Sequence, residues 1–272
     1  MTENRKEDDA NNQLDKIQLT WNELVYDKNY RPTLRNSHNV CSDSKQRHMY
    51  LFGGRSKGGC NNHLYMLSQD KLEVGWRLID KPKGDIPSPR KNSAMAYCAS
   101  YLYLFGGNGH NAKKAELLLN DFYAFNIATE TWMSLKTRGD IPSPRDRHSL
   151  TVIDNKLFIF GGSASIKSGQ QPSSNGGGDQ PKEFLNDLYM YNPKTSVWIK
   201  LETKNDIRPE ARYEHCAAVM GNYLVVSSGK CENGGLFDFW LLDTSQIETV
   251  LAENKNHPKK TSLKWQKIEP KS

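Results

Sequence analysis

Apolar and polar residues alternate with a period of two over many short stretches of this 272-residue chain. Alternation of this kind predicts half-buried β-strands. Four such stretches open four similar units, at 37–41, 92–98, 147–153 and 213–220. No stretch shows the apolar spacing and capping residues of an amphipathic helix. The pattern therefore predicts an all-β chain.

Each alternating stretch is followed by an apolar strand that ends in two glycines. These strands read HMYLFGG (48–54), YLYLFGG (101–107) and KLFIFGG (156–162), and a degenerate fourth copy reads YLVVSSG (223–229). The glycines are Gly53, Gly54, Gly106, Gly107, Gly161 and Gly162. Because glycine has no Cβ, we expect these positions to take positive φ and to let the backbone of a neighbouring unit approach closely.

Two more strands complete each unit, and each carries an aromatic residue. The third strand is centred on Tyr65, Tyr123, Tyr189 or Trp240, and the fourth carries Trp76, Trp132, Trp198 or Trp265 with leucine or isoleucine three residues later. Large aromatic side chains with one polar tip suit the wedge between adjacent units. Four short strands in each unit of about 50 residues are the signature of a propeller blade.

The glycine pair, the downstream tyrosine and the tryptophan resemble the Kelch-repeat family from about Trp21 to Ile268. The connections LIDKPKGDIPSPR (78–90) and LKTRGDIPSPR (135–145) resemble those of Rab-effector and leucine-zipper-like regulator members. The resemblance implies a Kelch-type β-propeller that serves as a protein-binding adaptor or scaffold. The family resemblance implies partners that act in vesicle traffic, in the cytoskeleton or in protein degradation.

The repeat also predicts the division of the chain. A disordered N-terminal tail, 1–16, precedes a propeller over 17–270, and two polar insertions, 163–184 and 245–262, are expected to be mobile loops. The four blades are expected at about 31–80, 86–136, 141–202 and 208–269.

One further segment, LTWNELV (19–25), reads as a fourth strand with Trp21 and Leu24 in place, yet no first three strands precede it. Three arrangements remain open: a four-bladed ring with a spare strand, an open arc that pairs with another chain, or a chain shortened relative to larger propellers. We favour an incomplete arc, because Kelch propellers commonly have more blades. An open blade edge would allow self-association.

Arginines recur where each connection enters the innermost strand: Arg35, Arg90, Arg145 and Arg212. Prolines make these connections rigid. Two interpretations stay open. The arginines form a basic rim that binds acidic side chains of a protein partner, since the planar guanidinium binds carboxylates bidentately; or they bond backbone carbonyls between blades.

Candidate catalytic or metal-binding residues are few. Three arginines are followed at the third position by histidine (His38, His148, His215), which raises an alternative: a small-molecule enzyme with a metal or substrate site at the channel mouth. Zinc ligands must converge to about 2 Å from the ion, which blades around a channel do not favour, so we expect hydrogen-bonded structural histidines.

Other enzymatic motifs are missing or incomplete. Iron-dependent specifier proteins of the Kelch class resemble a Glu-x-x-x-Asp-x-x-x-His pattern, but Tyr191 replaces the histidine after Glu183 and Asp187. Phosphate-loop, zincin and hydrolase motifs do not occur. The prediction is a chain without catalytic residues, metal or cofactor.

Composition restricts the classes of molecule that the chain is expected to bind. The net charge of +6 is modest and dispersed, which argues against nucleic acid. No apolar run is long enough for a bilayer and the N-terminus is polar, unlike a signal peptide. The five cysteines form no C-x-x-C pair, which fits a reduced, cytoplasmic protein. The predicted ligand is therefore a protein.

Overall fold

The computed structural model describes residues 31–45, 47–70, 73–110, 116–165, 182–203, 207–249 and 263–269. Within these ranges the chain forms four sheets of four or five strands and two small hairpins, as expected of an all-β propeller. The predicted tail 1–16, the strand around Trp21, and residues 166–181 and 250–262 of the two insertions lie outside the described residues.

The strands follow the repeat closely. Blade one contains β1 (Asn39–Ser42), β2 (His48–Phe52), β3 (Arg55–Ser56), β4 (Gly59–Cys60), β5 (Leu64–Asp70) and β6 (Glu73–Leu78). Blade two contains β7 (Lys83–Gly84), β8 (Ala94–Cys98), β9 (Tyr101–His110), β10 (Glu116–Asn126) and β11 (Thr131–Ser134). Blade three contains β12 (Arg138–Gly139), β13 (Ser149–Ile153), β14 (Lys156–Ser165), β15 (Lys182–Asn192) and β16 (Val197–Leu201). Blade four contains β17 (Cys216–Met220), β18 (Tyr223–Ser227), β19 (Lys230–Cys231), β20 (Gly234–Gly235), β21 (Phe239–Asp243) and β22 (Trp265–Ile268).

Within each blade the four main strands pair in chain order and antiparallel, from an inner strand to an outer one. The inner strands β1, β8, β13 and β17 pack side by side. Residues 247–249 add one helical turn after β21. No helix in the described part of the chain is long and apolar enough to cross a membrane.

Alternation along each strand builds the core between the blades, because successive side chains point to opposite faces of a sheet. In β9, Leu102 and Leu104 face blade one, whereas Tyr103 and Phe105 face blade three. Three apolar layers result, one at each contact between successive blades. Trp132, Trp198 and Trp265 lie buried in these layers.

The sequence predicted that the second strand of each blade ends at its glycine pair, and this is wrong for two of the blades. In blades two and three the strand continues through the pair, to His110 and Ser165, and a β-bulge opposite the pair absorbs the irregularity. The ends of the predicted mobile loop 163–184 are therefore strand. Gly53 shows why glycine is needed: its φ is +67°, and a Cβ would lie 2.8 Å from the carbonyl oxygen of Arg90 in the next blade.

The proline-rich connections also contribute short strands. β7 and β12 pair in parallel with the outer strands of blades two and three, β11 and β16, immediately before Asp85 and Asp140. The proline segments that the sequence predicts to be rigid, 85–90 and 140–145, follow these short strands. At Gly84 the φ of +78° and the missing Cβ let the backbone approach that of Trp132.

The four blades form an open arc. The contacts that join β1 to β8, β8 to β13 and β13 to β17 have no equivalent between β17 and β1 among the described residues. Blade four accordingly leaves large apolar side chains exposed, with Met220 and Phe239 at 59% and 53% of their full accessibility. Of the arrangements that the sequence left open, the structure disfavours the closed four-bladed ring.

Candidate functional site

Three of the four predicted rim arginines are completely buried. Arg90, Arg145 and Arg212 have no exposed surface, and each guanidinium binds both carboxylate oxygens of an aspartate in its own blade at 2.6–2.9 Å. The pairs are Arg90–Asp121, Arg145–Asp187 and Arg212–Asp238. The Arg212 guanidinium holds the pKa of Asp238 below its usual range.

Arg145 illustrates how completely these groups are used. Beyond its two bonds to Asp187, the guanidinium donates to the carbonyl of Gly161 at 3.1 Å and to the carbonyl and hydroxyl oxygens of Ser143 at 3.2 and 3.1 Å. It also lies over the ring of Tyr189, 5.3 Å from the centroid. All five N–H groups of the guanidinium have acceptors. Since all three arginines are buried and each binds an aspartate of its own blade, the structure argues against the basic-rim interpretation for them.

The structural interpretation of the arginines also needs a correction. Their side chains bond carbonyls of their own blade, whereas the bond between blades is made by the backbone: Gly107 N–H donates to the carbonyl of Arg145 at 2.9 Å. The guanidinium of Arg145 thus stiffens blade three, while the backbone of the same residue joins blade three to blade two.

Arg35 differs from the other three. His63 stands where the other blades have aspartate, and the Arg35 guanidinium instead donates to Asn61 Oδ1 at 2.8 Å and to the carbonyl of Gly53 at 3.0 Å. It is partly exposed and lines a groove of about 850 Å³ with Trp76 and other residues of blade one. Its predicted role in partner binding stays a prediction.

The structure does not bring the three histidines into one site. His148 is buried and His215 is half-buried between blades, whereas His38 is exposed. His215 Nε2 lies 2.9 Å from Ser149 Oγ in the neighbouring blade, which fits a hydrogen-bonded structural role. In the ranges that the structure describes, no three histidine, cysteine, aspartate or glutamate side chains could share a metal ion.

Burial controls the protonation of these histidines. Desolvation, with a smaller contribution from Arg212, lowers the pKa of His215 to about 4. Desolvation, followed by Arg145 and His215, holds the pKa of His148 well below its usual range. Both rings are therefore neutral at pH 7.

These depressed pKa values predict acid sensitivity. Between about pH 6.5 and 4 the unfolded chain binds protons that the folded His215 does not, so stability is lost as the pH falls through this window. The loss from His215 is roughly 3 kcal/mol. Urea unfolding of wild type and His215→Gln at pH 7, 5.5 and 4.5 measures it: the variant should show a flatter pH dependence, and an unchanged slope would contradict the assignment.

The incomplete iron motif is also occupied by structural contacts. Asp187 is bound to Arg145, and Tyr191 is buried with its ring 4.9 Å from that of Trp198. These residues do not fit an iron site, since the carboxylate is engaged and the third position is a core aromatic.

A regular backbone arc marks one end of the blades, where the inner strands begin. The second residue after each arginine has a left-handed φ of 55–56°: Ser37, Asn92, Arg147 and Glu214. These four residues are linked by backbone hydrogen bonds from blade to blade. Asn92 N–H donates to Ser37 O at 2.9 Å, Arg147 N–H to Asn92 O at 2.8 Å, and Glu214 N–H to Arg147 O at 3.2 Å. We call this end of the blades the mouth, and the bonds of the arc fix the backbone of the side chains that it carries.

At the mouth, blades three and four form a cluster of mixed chemistry that we call the mouth cluster: Arg147, Phe184, Tyr213, Glu214 and Lys230. The Arg147 guanidinium and the Lys230 ammonium lie 5.5 and 6.0 Å from the centroid of the Tyr213 ring. The ring of Phe184 is 4.6 Å from the same centroid. Glu214 contacts Arg147 Nε at 3.3 Å and Lys230 Nζ at 3.0 Å. All five side chains are at least partly exposed.

Sequence reasoning missed the mouth cluster, because its members come from two blades and, apart from Arg147 and Glu214, occupy different positions of the repeat. Arg147, Tyr213 and Glu214 lie within two residues of a recurrent arginine. Nothing in the linear repeat indicates that Phe184 and Lys230 meet them.

Comparisons with known proteins agree with this architecture. The chain is 30% identical to human Host cell factor 2 over 80% of its length and 30% of that protein. It is 28% identical to the N-(sulfonatooxy)prop-2-enimidothioate sulfolyase of Thlaspi arvense, over 68% of this chain and 52% of that enzyme. The solved structure of YjhT matches with a TM-score of 0.64 at 19% identity, over 89% of this chain and 66% of YjhT.

The chain thus spans about half or less of the length of these two curated relatives. Two family descriptions match directly: the KLHDC2/KLHL20/DRC7 Kelch-repeats domain over residues 2–173, and the Kelch motif over residues 144–204. Since the first covers more than half of the chain and the fold is the one that the repeat implied, the chain belongs to the Kelch-repeat family.

Proposed function

We propose that this chain is a non-catalytic protein-binding module, an adaptor or scaffold of the cytoplasm, and that it contacts its partner through the mouth cluster. The Kelch relatives support a protein-interaction role. The proposed ligand is a protein segment with acidic and apolar side chains. We do not propose that the chain binds nucleic acid or a cofactor or inserts into a membrane.

The observation that carries the proposal is the stacking of two cations and a second aromatic ring around Tyr213. Arginine and tyrosine are enriched among residues that dominate binding energy in protein interfaces. Arg147 Nε lies 3.3 Å from a Glu214 carboxylate oxygen, and the terminal nitrogens of Arg147 make no hydrogen bond among the described residues, so they can take a carboxylate from a partner. Phe184 and Tyr213 offer apolar area beside that charge.

Rigidity also favours this site. Arg147 and Glu214 belong to the backbone arc, and Tyr213 and Lys230 exchange two backbone hydrogen bonds at 3.0 and 2.9 Å. Side chains on a fixed backbone lose less conformational entropy when a partner binds.

The sulfolyase relative is an enzyme, and a small-molecule enzyme is the alternative function. The contacts of Asp187 and Tyr191 favour the binding module, because the part of the iron motif that this chain retains is used for packing.

The test is affinity purification from cytosol with quantitative mass spectrometry, comparing wild type with Arg147→Glu/Lys230→Glu. Reversing both charges should reduce capture of acidic partners at least about tenfold, since each substitution places a like charge against the partner's carboxylates. Lys194→Glu/Lys264→Glu is the matched control: both lysines are exposed, and they lie at the other end of the blades.

Circular dichroism and thermal unfolding should show both double variants folded. Partners retained by the mouth variant and lost by the control would place the binding surface at the opposite end. A wild-type chain that enriches no protein would overturn the proposed function itself.

A further inference from the structure

We infer that the open end of blade four binds blade one of a second copy of this chain. This inference does not depend on the partner proposed for the mouth cluster. We call the contact between two successive blades a joint, and the three joints inside the chain use the same set of contacts. At the two ends of the arc, blade four and blade one each carry one side of this set without a partner. The occupant of the exposed blade face is therefore another copy, joined head to tail.

Each internal joint has the same three backbone hydrogen bonds. In the joint of blades two and three, Gly107 N–H donates to Arg145 O at 2.9 Å, Arg145 N–H donates to Leu119 O at 3.1 Å, and Arg147 N–H donates to Asn92 O at 2.8 Å. The other two joints repeat all three bonds at 2.9–3.2 Å.

The ends of the arc carry these groups without partners. On blade four the equivalents are the N–H of Gly229 and the carbonyls of Leu236 and Glu214, and none of the three has a partner in a described hydrogen bond. On blade one the equivalents are the carbonyl of Arg35 and the N–H groups of Arg35 and Ser37, which are equally unpaired among the described residues. Three donors and three acceptors therefore match across the proposed joint.

The apolar surfaces match in the same way. Strand positions of blade four that face outward along the arc correspond to the buried positions of blade two that face blade three. Among them Met220 and Phe239 are more than half exposed, whereas their counterparts Cys98 and Phe122 are buried. Ile268 is 40% exposed. An uncovered apolar sheet face of this kind marks an interaction site.

Blade one offers the receiving surface. Trp76 lines the open groove beside Arg35, while Trp132, Trp198 and Trp265 at the same repeat position are at most 5% exposed because a preceding blade covers them. Val40, whose counterpart Met95 is buried, is 46% exposed. A second copy's blade four would cover both residues as blade one covers their counterparts in blade two.

Two such joints close a ring. Two chains of four blades give eight, which is within the usual range of four to eight blades for propellers. If the curvature did not allow closure, the same head-to-tail joint would produce an open filament.

A cysteine cross-link tests the joint directly. At internal joints the first residue of an inner strand contacts the residue three after the next arginine: Asn39 Nδ2 donates to Ser93 Oγ at 2.6 Å, and Ser149 Oγ lies 2.9 Å from His215 Nε2. The equivalent pair across the new joint is Cys216, an exposed free thiol, and His38. Under mild oxidation His38→Cys should form a covalent dimer through Cys216.

The cross-link needs one control. His38→Cys/Cys216→Ser should stay uncross-linked, although it keeps the other four native cysteines. Peptide mapping of the oxidised single variant should identify the 38–216 pair. Absence of that pair, or equal cross-linking in the double variant, would overturn the proposed joint.

Mass measurement provides the second test on the full chain. Analytical ultracentrifugation of wild type should show a species of twice 31.0 kDa or a larger head-to-tail assembly. Met220→Glu/Phe239→Glu should raise the dissociation constant more than about 100-fold, because the joint would bury two unpaired charges. Ile141→Glu/Ile207→Glu, at exposed positions away from the joint, should leave it unchanged.

A wild type that remains monomeric at all concentrations would overturn the inference and indicate that another segment covers the face. Assembly that persists unchanged in Met220→Glu/Phe239→Glu would overturn it as well. Loss of partners in the mouth variant leaves this test unaffected, since the two surfaces share no substituted residue.

Discussion

Replacing Asp187 with alanine is expected to lower the free energy of unfolding by about 3–5 kcal/mol. The substitution leaves the Arg145 guanidinium, which has no exposed surface, without the carboxylate that binds it at 2.6 and 2.9 Å. A buried charge without its partner is among the most destabilising local changes. Urea unfolding at pH 7, followed by tryptophan fluorescence, measures the difference.

The control is a surface ion pair. Arg77 and Glu130 approach to 2.7 Å with both side chains substantially exposed, so Glu130→Ala should change the free energy of unfolding by less than about 1 kcal/mol. Similar small effects of both substitutions would show that the Arg145 pair does not stabilise its blade as the structure indicates.

The second large effect is expected from Trp198→Ala. Trp198 is 1% exposed and contacts Phe105, Phe122 and Tyr191 in the layer between blades two and three. Its removal should cost about 3–5 kcal/mol, since a large buried aromatic leaves a cavity that the surrounding layer fills only in part. Thermal and urea unfolding give the value.

Trp76→Ala is the matched comparison, because Trp76 occupies the same repeat position in blade one but lines an open groove. At protein concentrations where the chain is monomeric, its loss should be clearly smaller than that of Trp198. Equal losses would mean that the face of blade one is covered within a single chain, contrary to an open arc.

Much of the fold could be predicted from period-two alternation and the repeat of glycines and tryptophans. The passage of β9 and β14 through their glycine pairs could not be predicted, because the bulge opposite each pair depends on residues of the partner strand. The parallel strands β7 and β12 could not be predicted for a similar reason: each is two residues long and pairs with an outer strand distant in sequence, without any apolar pattern.

The position of the arginines before each inner strand could be predicted from the repeat. The repeat left two kinds of acceptor open for them: carboxylates of a partner, or backbone carbonyls between blades. The signal for the internal partner was present in the repeat: aspartate precedes the third-strand aromatic in three blades (Asp121, Asp187, Asp238), and His63 replaces it in the blade whose arginine is partly exposed.

The mouth cluster lay beyond prediction because it is a property of the joint. Tyr213 and Lys230 come from blade four, whereas Arg147 and Phe184 come from blade three, and no two of these positions are equivalent. A repeat identifies what blades share. Binding surfaces in repeat proteins arise where individual blades differ, so the likeness between blades contained no information on this site.

Hydrogen exchange would show directly whether a protein partner binds the mouth cluster. The chain would be compared alone and with its most enriched captured partner, following amide protection by mass spectrometry. We expect protection at 144–150, 182–188, 211–216 and 228–232, with no change in the turn 193–196 at the opposite end of the blades. Protection confined to that opposite end, or none at the mouth in a saturated complex, would contradict the claim.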